Sequence, residues 1–197
     1  MTYFLDSVKK EDILEWLPVI EGVTSNPYLL EKEGITTEQF LDMVASIPNR
    51  LNKKIFIQVS NMHEVEKFKN KNIIFKVMLH PKHYNFIKEL KSKNYQVATT
   101  TIYDIVQINQ AIEFGVDYTM VYKHKNENPD LFKQAYKLKQ ISKSNIKLVG
   151  ASFRGKHEVI DAILSGMDYA TVSPQALNEV FNNAQLEDEF NKLYAQI

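Results

Sequence analysis

The sequence predicts an α/β fold, a parallel sheet that eight strands can close into a (β/α)8 barrel. Three observations carry that expectation. Eight short runs read as strands, segments with helical periodicity lie between them, and several runs are continuously apolar, which suits strands covered on both faces. The chain has 197 residues, 44% of them hydrophobic, enough for one domain spanning 1–197 with a substantial core. That length is compact for an eightfold barrel, and a doubly wound open sheet is the alternative. Against the alternative, no strand leads into a GxGxxG or Gly-Lys-Ser/Thr loop, and the chain holds only six glycines.

TYFLD (2–6) is the first strand, and its last residue, Asp6, could cap a following helix. GVTSN (22–26) is the second, although Asn26 before Pro27 also suits a turn. Helical periodicity over 36–47 leads to IFIQV (55–59), and 62–70 leads to NIIFKVM (72–78). In PKHYNFIKELKSK (81–93), Pro81 suits a first helical turn while Tyr84, Ile87 and Leu90 form one stripe. QVATTTI (96–102) is the fifth strand. The helix predicted over 103–114 sets Ile105, Ile108, Ala111 and Ile112 on one face, and Gly115 suits the position just past its end. YTMVY (118–122), a helix over 128–143 with Asp130 as candidate N-cap, IKLVGAS (146–152) and a helix over 156–165 follow. YATVS (169–173) is the eighth strand. Ser173 is placed to cap a helix over 174–182, and a last helix covers 186–196.

Charge and composition exclude several classes. Lys plus Arg equals Asp plus Glu at 24 each, so no electrostatic footprint for nucleic acid or an anionic membrane is expected. With no cysteine there is no disulfide, thiolate nucleophile or Cys-based metal site. No run approaches the roughly 18 apolar residues of a membrane span, and the start lacks a signal-like apolar stretch, so a cytoplasmic protein is expected. The five histidines show no HExxH spacing, and His80 and His83 read as surface residues near a helix start. KFKNKN (67–72) and KELKSK (88–93) read as solvated helix faces and turns.

Polar residues gather at the C-terminal ends of the strands: Asp6, Thr24, Asn26, Gln58, Lys76, Thr100, Tyr122, Ser152 and Arg154. In a barrel those ends converge on the rim where active sites of this fold lie. Each has a bland role by itself, as a cap, a turn residue or a wet aromatic, but one shared pocket explains all of them together. Lys76 asks the sharpest question, because its neighbours are Ile73, Ile74, Phe75, Val77 and Met78. It is either an edge lysine snorkelling to water or a desolvated amine. If it faces the barrel axis, Ile74 and Met78 share that face while Ile73, Phe75 and Val77 face the helices. Burial would then lower its pKa and leave neutral amine able to attack a carbonyl.

FLD (4–6), GVTSNP (22–27), the lysine in FKV (75–77), and ASFR (151–154) followed by SGMDYATVS (165–173) resemble the small transaldolase family, closest to its fructose-6-phosphate aldolase-like branch. The resemblance runs in order along nearly the whole chain. It implies a class I, metal-free aldolase-type barrel with no cofactor, whose Schiff-base lysine lies on the fourth strand, where Lys76 falls. It implies that Asp6 handles the donor hydroxyls with Thr24 and Asn26, and that Ser152 and Arg154 hold a phosphate on the acceptor. Gln58, Tyr122 and Thr100 match the trio that positions a water for proton transfer in the aldolase branch. Transaldolases carry a glutamate and a phenylalanine at the positions of Gln58 and Tyr122.

The chain also departs from the family pattern. Met78 replaces a proline after the lysine, Met120–Val121 replace a small residue and proline, and Lys125 replaces a phosphate-binding arginine. Lys156 or His157 could supply part of what Lys125 lacks. The function expected is a fructose-6-phosphate aldolase acting on that or a related ketose. The alternatives are a transaldolase moving a dihydroxyacetone unit between sugar phosphates, and a non-catalytic sugar-phosphate-binding barrel. The resemblance further implies a homo-oligomer, a pentamer or decamer, with the stripe Leu186, Phe190, Leu193 and Tyr194 of the last helix docking on a neighbour or on its own barrel.

Overall fold

The computed structural model describes residues 1–48, 53–69, 73–124 and 127–194. Eight parallel strands close into a barrel in chain order: β1 (Thr2–Asp6), β2 (Ile20–Thr24), β3 (Lys54–Gln58), β4 (Ile73–Met78), β5 (Val97–Ile102), β6 (Tyr118–Tyr122), β7 (Lys147–Ala151) and β8 (Tyr169–Val172). The β1–β8 pairing completes the closure, so the open-sheet alternative does not hold. The helices are α1 (Lys10–Trp16), α2 (Pro27–Glu33), α3 (Thr37–Ala45), α4 (Met62–Phe68), α5 (Tyr84–Ser92), α6 (Ile105–Glu113), α7 (Leu131–Ser142), α8 (Lys156–Leu164), α9 (Pro174–Phe181) and α10 (Ala184–Tyr194). The fold is a (β/α)8 barrel.

Two cores fill it. Between strands and helices lies a large aliphatic layer that includes Ile73, Phe75 and Val77 of β4. Inside the barrel lies a smaller, aromatic-rich cluster of Phe4, Phe56, Ile74, Ala98, Tyr118, Met120, Val149 and Ala151, with Tyr169 against it. Phe4 stacks on Tyr169 with centroids 4.7 Å apart, and Phe56 meets Tyr118 edge-on at 5.3 Å. These side chains plug the barrel below its C-terminal rim. Burial pushes the Tyr118 phenol up to about 12, which marks how dry the plug is.

Several elements differ from expectation at their ends. β2 starts at Ile20 and stops at Thr24, because Asn26 leaves the sheet to cap α2, its side chain accepting from the Leu29 amide at 2.9 Å. Pro81 opens a short 3-10 turn, and α5 itself begins at Tyr84. Asp6 is not a helix cap, since Lys9 precedes α1. Asp130 occupies the N-cap position of α7, but its side chain makes no capping bond and accepts instead from Lys133 Nζ at 3.1 Å. Ser173 does cap α9, and Gly115 follows α6 with φ 63°. Helices α1 and α2 were not anticipated.

Candidate active site

The strand ends aim their inward residues at a cavity of about 280 Å³ above the aromatic plug. Asp6, Thr24, Asn26, Lys76, Met120, Tyr122, Ser152, Arg154, Thr171 and Ser173 line it, with Ala151 and Phe153. Alternation along β4 sends Lys76 to the same face as Ile74 of the barrel interior, while its odd-numbered neighbours pack under the helices.

Lys76 is 4% exposed, and its Nζ donates to the Ser25 carbonyl at 2.5 Å. Burial drives its pKa below the ordinary lysine value, and the negative charge of Asp6 opposes that shift. The amine is not snorkelling. It is held by one backbone carbonyl that appears because the chain leaves β2 after Thr24 and turns over β3, where the Ser25 amide bonds the Phe56 carbonyl.

Asp6 accepts from Thr24 Oγ1 at 2.6 Å, and Thr24 Oγ1 lies 2.7 Å from Thr171 Oγ1. A hydroxyl has one proton, so with Thr24 donating to Asp6, Thr171 donates to Thr24. The relay runs from β8 through β2 to β1 and fixes the carboxylate beside the lysine. On the opposite side, Thr100 Oγ1 lies 3.2 Å from the Tyr122 hydroxyl. Burial raises the Tyr122 pKa, the Thr100 hydrogen bond opposes this, and the Asp6 charge adds to it. Ser152 sits at the end of β7 with φ 61°, a left-handed conformation uncommon for a non-glycine residue and a frequent mark of a functional turn. Arg154 is exposed at the mouth, where its amide donates to Glu158 Oε2 at 2.6 Å.

The cavity thus gathers Asp6, Thr24, Asn26, Lys76, Tyr122, Ser152 and Arg154. Thr100 stands behind Tyr122 rather than in the lining. Gln58 faces the neighbouring cleft of about 320 Å³ with Asn26, Leu30 and His63, not the central cavity. Lys125 lies outside the described residues. Sequence reasoning missed Thr171, whose only signal is its inward register two residues after Tyr169, and the Ser25 carbonyl, for which no signal exists. His80 and His83 sit together beside β4, with His83 Nδ1 3.0 Å from the Met78 carbonyl.

A family model described as Transaldolase/Fructose-6-phosphate aldolase matches residues 58–197. The chain belongs to the transaldolase/fructose-6-phosphate aldolase family. It is 25% identical to a probable fructose-6-phosphate aldolase of Streptococcus pneumoniae, over 92% of this chain and 89% of the relative. It is 27% identical to a probable transaldolase of Clostridioides difficile, over 93% and 90%. A probable transaldolase of Geobacillus kaustophilus is 24% identical over 99% and 97%. Membership of the transaldolase/fructose-6-phosphate aldolase family agrees with the closed eight-stranded barrel. It supports an enzyme that works on sugar phosphates.

Proposed function

We propose that the protein is a class I aldolase that cleaves or forms fructose 6-phosphate or a related ketose through an imine on Lys76. The observation that carries this reading is the lysine itself: a desolvated amine at the floor of a polar cavity, beside a carboxylate and a phenol. The neutral amine attacks the donor ketone to give a carbinolamine, and loss of water leaves an iminium. Removing the proton from the hydroxyl two carbons away lets that oxygen form an aldehyde carbonyl. The intervening carbon–carbon bond breaks, its electron pair moves to the iminium nitrogen as an enamine, and the aldehyde departs. Protonation of the enamine carbon and hydrolysis by water return the donor ketone and free Lys76.

Asp6, held by Thr24, faces the donor hydroxyls, and Asn26 adds a hydrogen-bonding group beside them. Tyr122 carries the proton. With its pKa raised it is protonated at neutral pH and suited to donate to the departing carbinolamine oxygen. Once the iminium forms, the new cation favours the phenolate and lets the same oxygen take a proton back. Thr100 orients it. Gln58 in place of a carboxylate cannot take that proton, which favours an aldolase over a transaldolase, although its amide stands toward the adjoining cleft. Ser152 and Arg154 suit a phosphate at the mouth through a hydroxyl and a planar fork, with the exposed Lys156 as a further charge.

The transaldolase reading draws support from the names of the Clostridioides and Geobacillus relatives. The two are separated by supplying fructose 6-phosphate alone and measuring free aldehyde phosphate. An aldolase releases it catalytically and makes dihydroxyacetone. A transaldolase stops near one equivalent until an aldose phosphate acceptor is added. A non-catalytic barrel shows neither. We also propose one domain throughout, a cytoplasmic setting, and a homo-oligomer assembled through α10, whose Leu186, Phe190 and Leu193 are 65%, 56% and 70% exposed.

A further inference from the structure

The fifth strand loses its register with the sixth just before the rim. Thr99 pairs with Thr119 and Ile102 with Val121, so β5 takes three steps where β6 takes two. The extra residue is a β-bulge. Alternation from Ala98 and Thr100 would aim Ile102 into the barrel, yet Ile102 is fully buried in the helix-side core. The bulge absorbs the difference at Thr101, which takes φ 67°. A β-branched residue is a genuine outlier there, and the run TTTIYD has no glycine or asparagine to favour it. A conformation of that kind persists only where its surroundings impose it.

Gln107, in the first turn of α6, supplies the restraint. Its Nε2 donates to the Thr101 carbonyl at 3.3 Å, and its Oε1 accepts from the Tyr103 amide at 2.7 Å. Its own amide donates to the N-cap residue Asp104 at 2.8 Å, which seats the glutamine at the helix start. One side chain therefore grips the backbone on both sides of Ile102. The segment so fixed delivers Thr100 to the Tyr122 hydroxyl and sets the Tyr103 ring edge-on against the Tyr122 ring, centroids 5.3 Å apart.

We infer that Gln107 is a positioning residue for the proton-carrying phenol, acting through the Thr100–Thr101 bulge and Tyr103 without itself lining the cavity. This role rests on the function proposed above for Tyr122. Around that phenol stand Asp6 from β1, Lys76 from β4, and Thr100, Thr101 and Tyr103 from the bulged segment. Burial raises the phenol pKa most, the threonine hydrogen bonds lower it, and the Asp6 charge adds to the rise.

The test compares Gln107→Met, which keeps the shape and loses both bonds, with Gln107→Glu, which keeps the acceptor for Tyr103 and loses the donor to Thr101. In Gln107→Met kcat falls about 10-fold or more while KM stays within about 2-fold, as expected when a reacting group is misplaced by a fraction of an ångström. The alkaline limb of its kcat profile moves to higher pH, because the hydroxyls that lowered the phenol pKa are withdrawn. Cyanoborohydride still traps the donor on Lys76, but more slowly than in wild type because Tyr122 also protonates the departing carbinolamine oxygen, and Gln107→Glu falls between the two. A variant that keeps the wild-type kcat and pH profile overturns the role, even if its melting temperature drops, since Gln107 would then be a helix cap only. If Gln107→Met does not fold, the same reading is taken on Gln107→Glu. A wild-type protein that forms no adduct on Lys76 overturns the aldol reading and this role with it. A wild-type adduct with unchanged variants overturns this role alone.

Discussion

Lys76 is costly to keep where it is, and the cost depends on pH in a definite direction. Its pKa is lowered on folding by desolvation, so the unfolded chain binds more protons between the folded value and the ordinary lysine value of about 10.4. In that window wild-type stability rises with pH. Lys76→Met removes the buried amine, so its stability relative to wild type should improve as pH falls from about 10 toward neutrality. Urea denaturation at the two ends of that range measures it, by about 1 kcal/mol or more at the lower end. The same lowered pKa sets the acid limb of imine formation. Asp6 holds the amine's proton more tightly, so Asp6→Asn should shift that limb to lower pH in a stopped trapping assay, whatever it does to later steps. Tyr122→Phe keeps the ring contact with Tyr103 and loses the hydroxyl. It should lower kcat by about 10²-fold while the adduct on Lys76 still forms. Most of these residues were legible because polar side chains stand out at the ends of apolar runs. What was not legible is direction at the rim. Gln58 occupies the inward register two residues after Phe56, yet it turns toward the cleft beside α2 and α4, a choice made by loop packing that no periodicity encodes.

Elements announced themselves in proportion to how much they bury. β1 and β6 fall on the predicted residues because continuous apolar runs between turns leave little freedom at either end. Helix α2 escaped because none of its seven residues is buried, so it has no stripe to read. The bulge in β5 escaped for a different reason: QVATTTI reads as one unbroken strand, and only the pairing with β6 reveals the extra residue. At β2 the missing side chain is itself the device. Gly22 lets β3 approach so closely that a Cβ there would overlap the Lys54 carbonyl. Gly22→Ala should force the two strands apart and destabilise the barrel by about 3 kcal/mol, read from a chemical denaturation midpoint. Because Thr24 follows two residues later, the variant should also loosen the Asp6–Thr24 bond and lower activity more than stability alone explains.

The whole molecule divides into a barrel that buries its own core and a last helix that does not share in it. The described side chains of α10 are all exposed, including the apolar Leu186, Phe190 and Leu193. A chain ending at Asn183 should therefore fold with a melting temperature close to that of the intact protein measured under dissociating conditions. In light scattering it should lose the oligomeric mass expected of the full-length chain. Closure of the barrel is what turns separate strand ends into a site, since Lys76 on β4, Asp6 on β1 and Tyr122 on β6 meet only through it. The intact protein is also where the central claim is tested most directly. Borohydride reduction in the presence of fructose 6-phosphate or dihydroxyacetone should add one reduced donor per chain, and peptide mass spectrometry should find it on Lys76 and not in Lys76→Ala. An unmodified mass under conditions where the donor turns over, or an adduct on another lysine that survives in Lys76→Ala, would contradict the account.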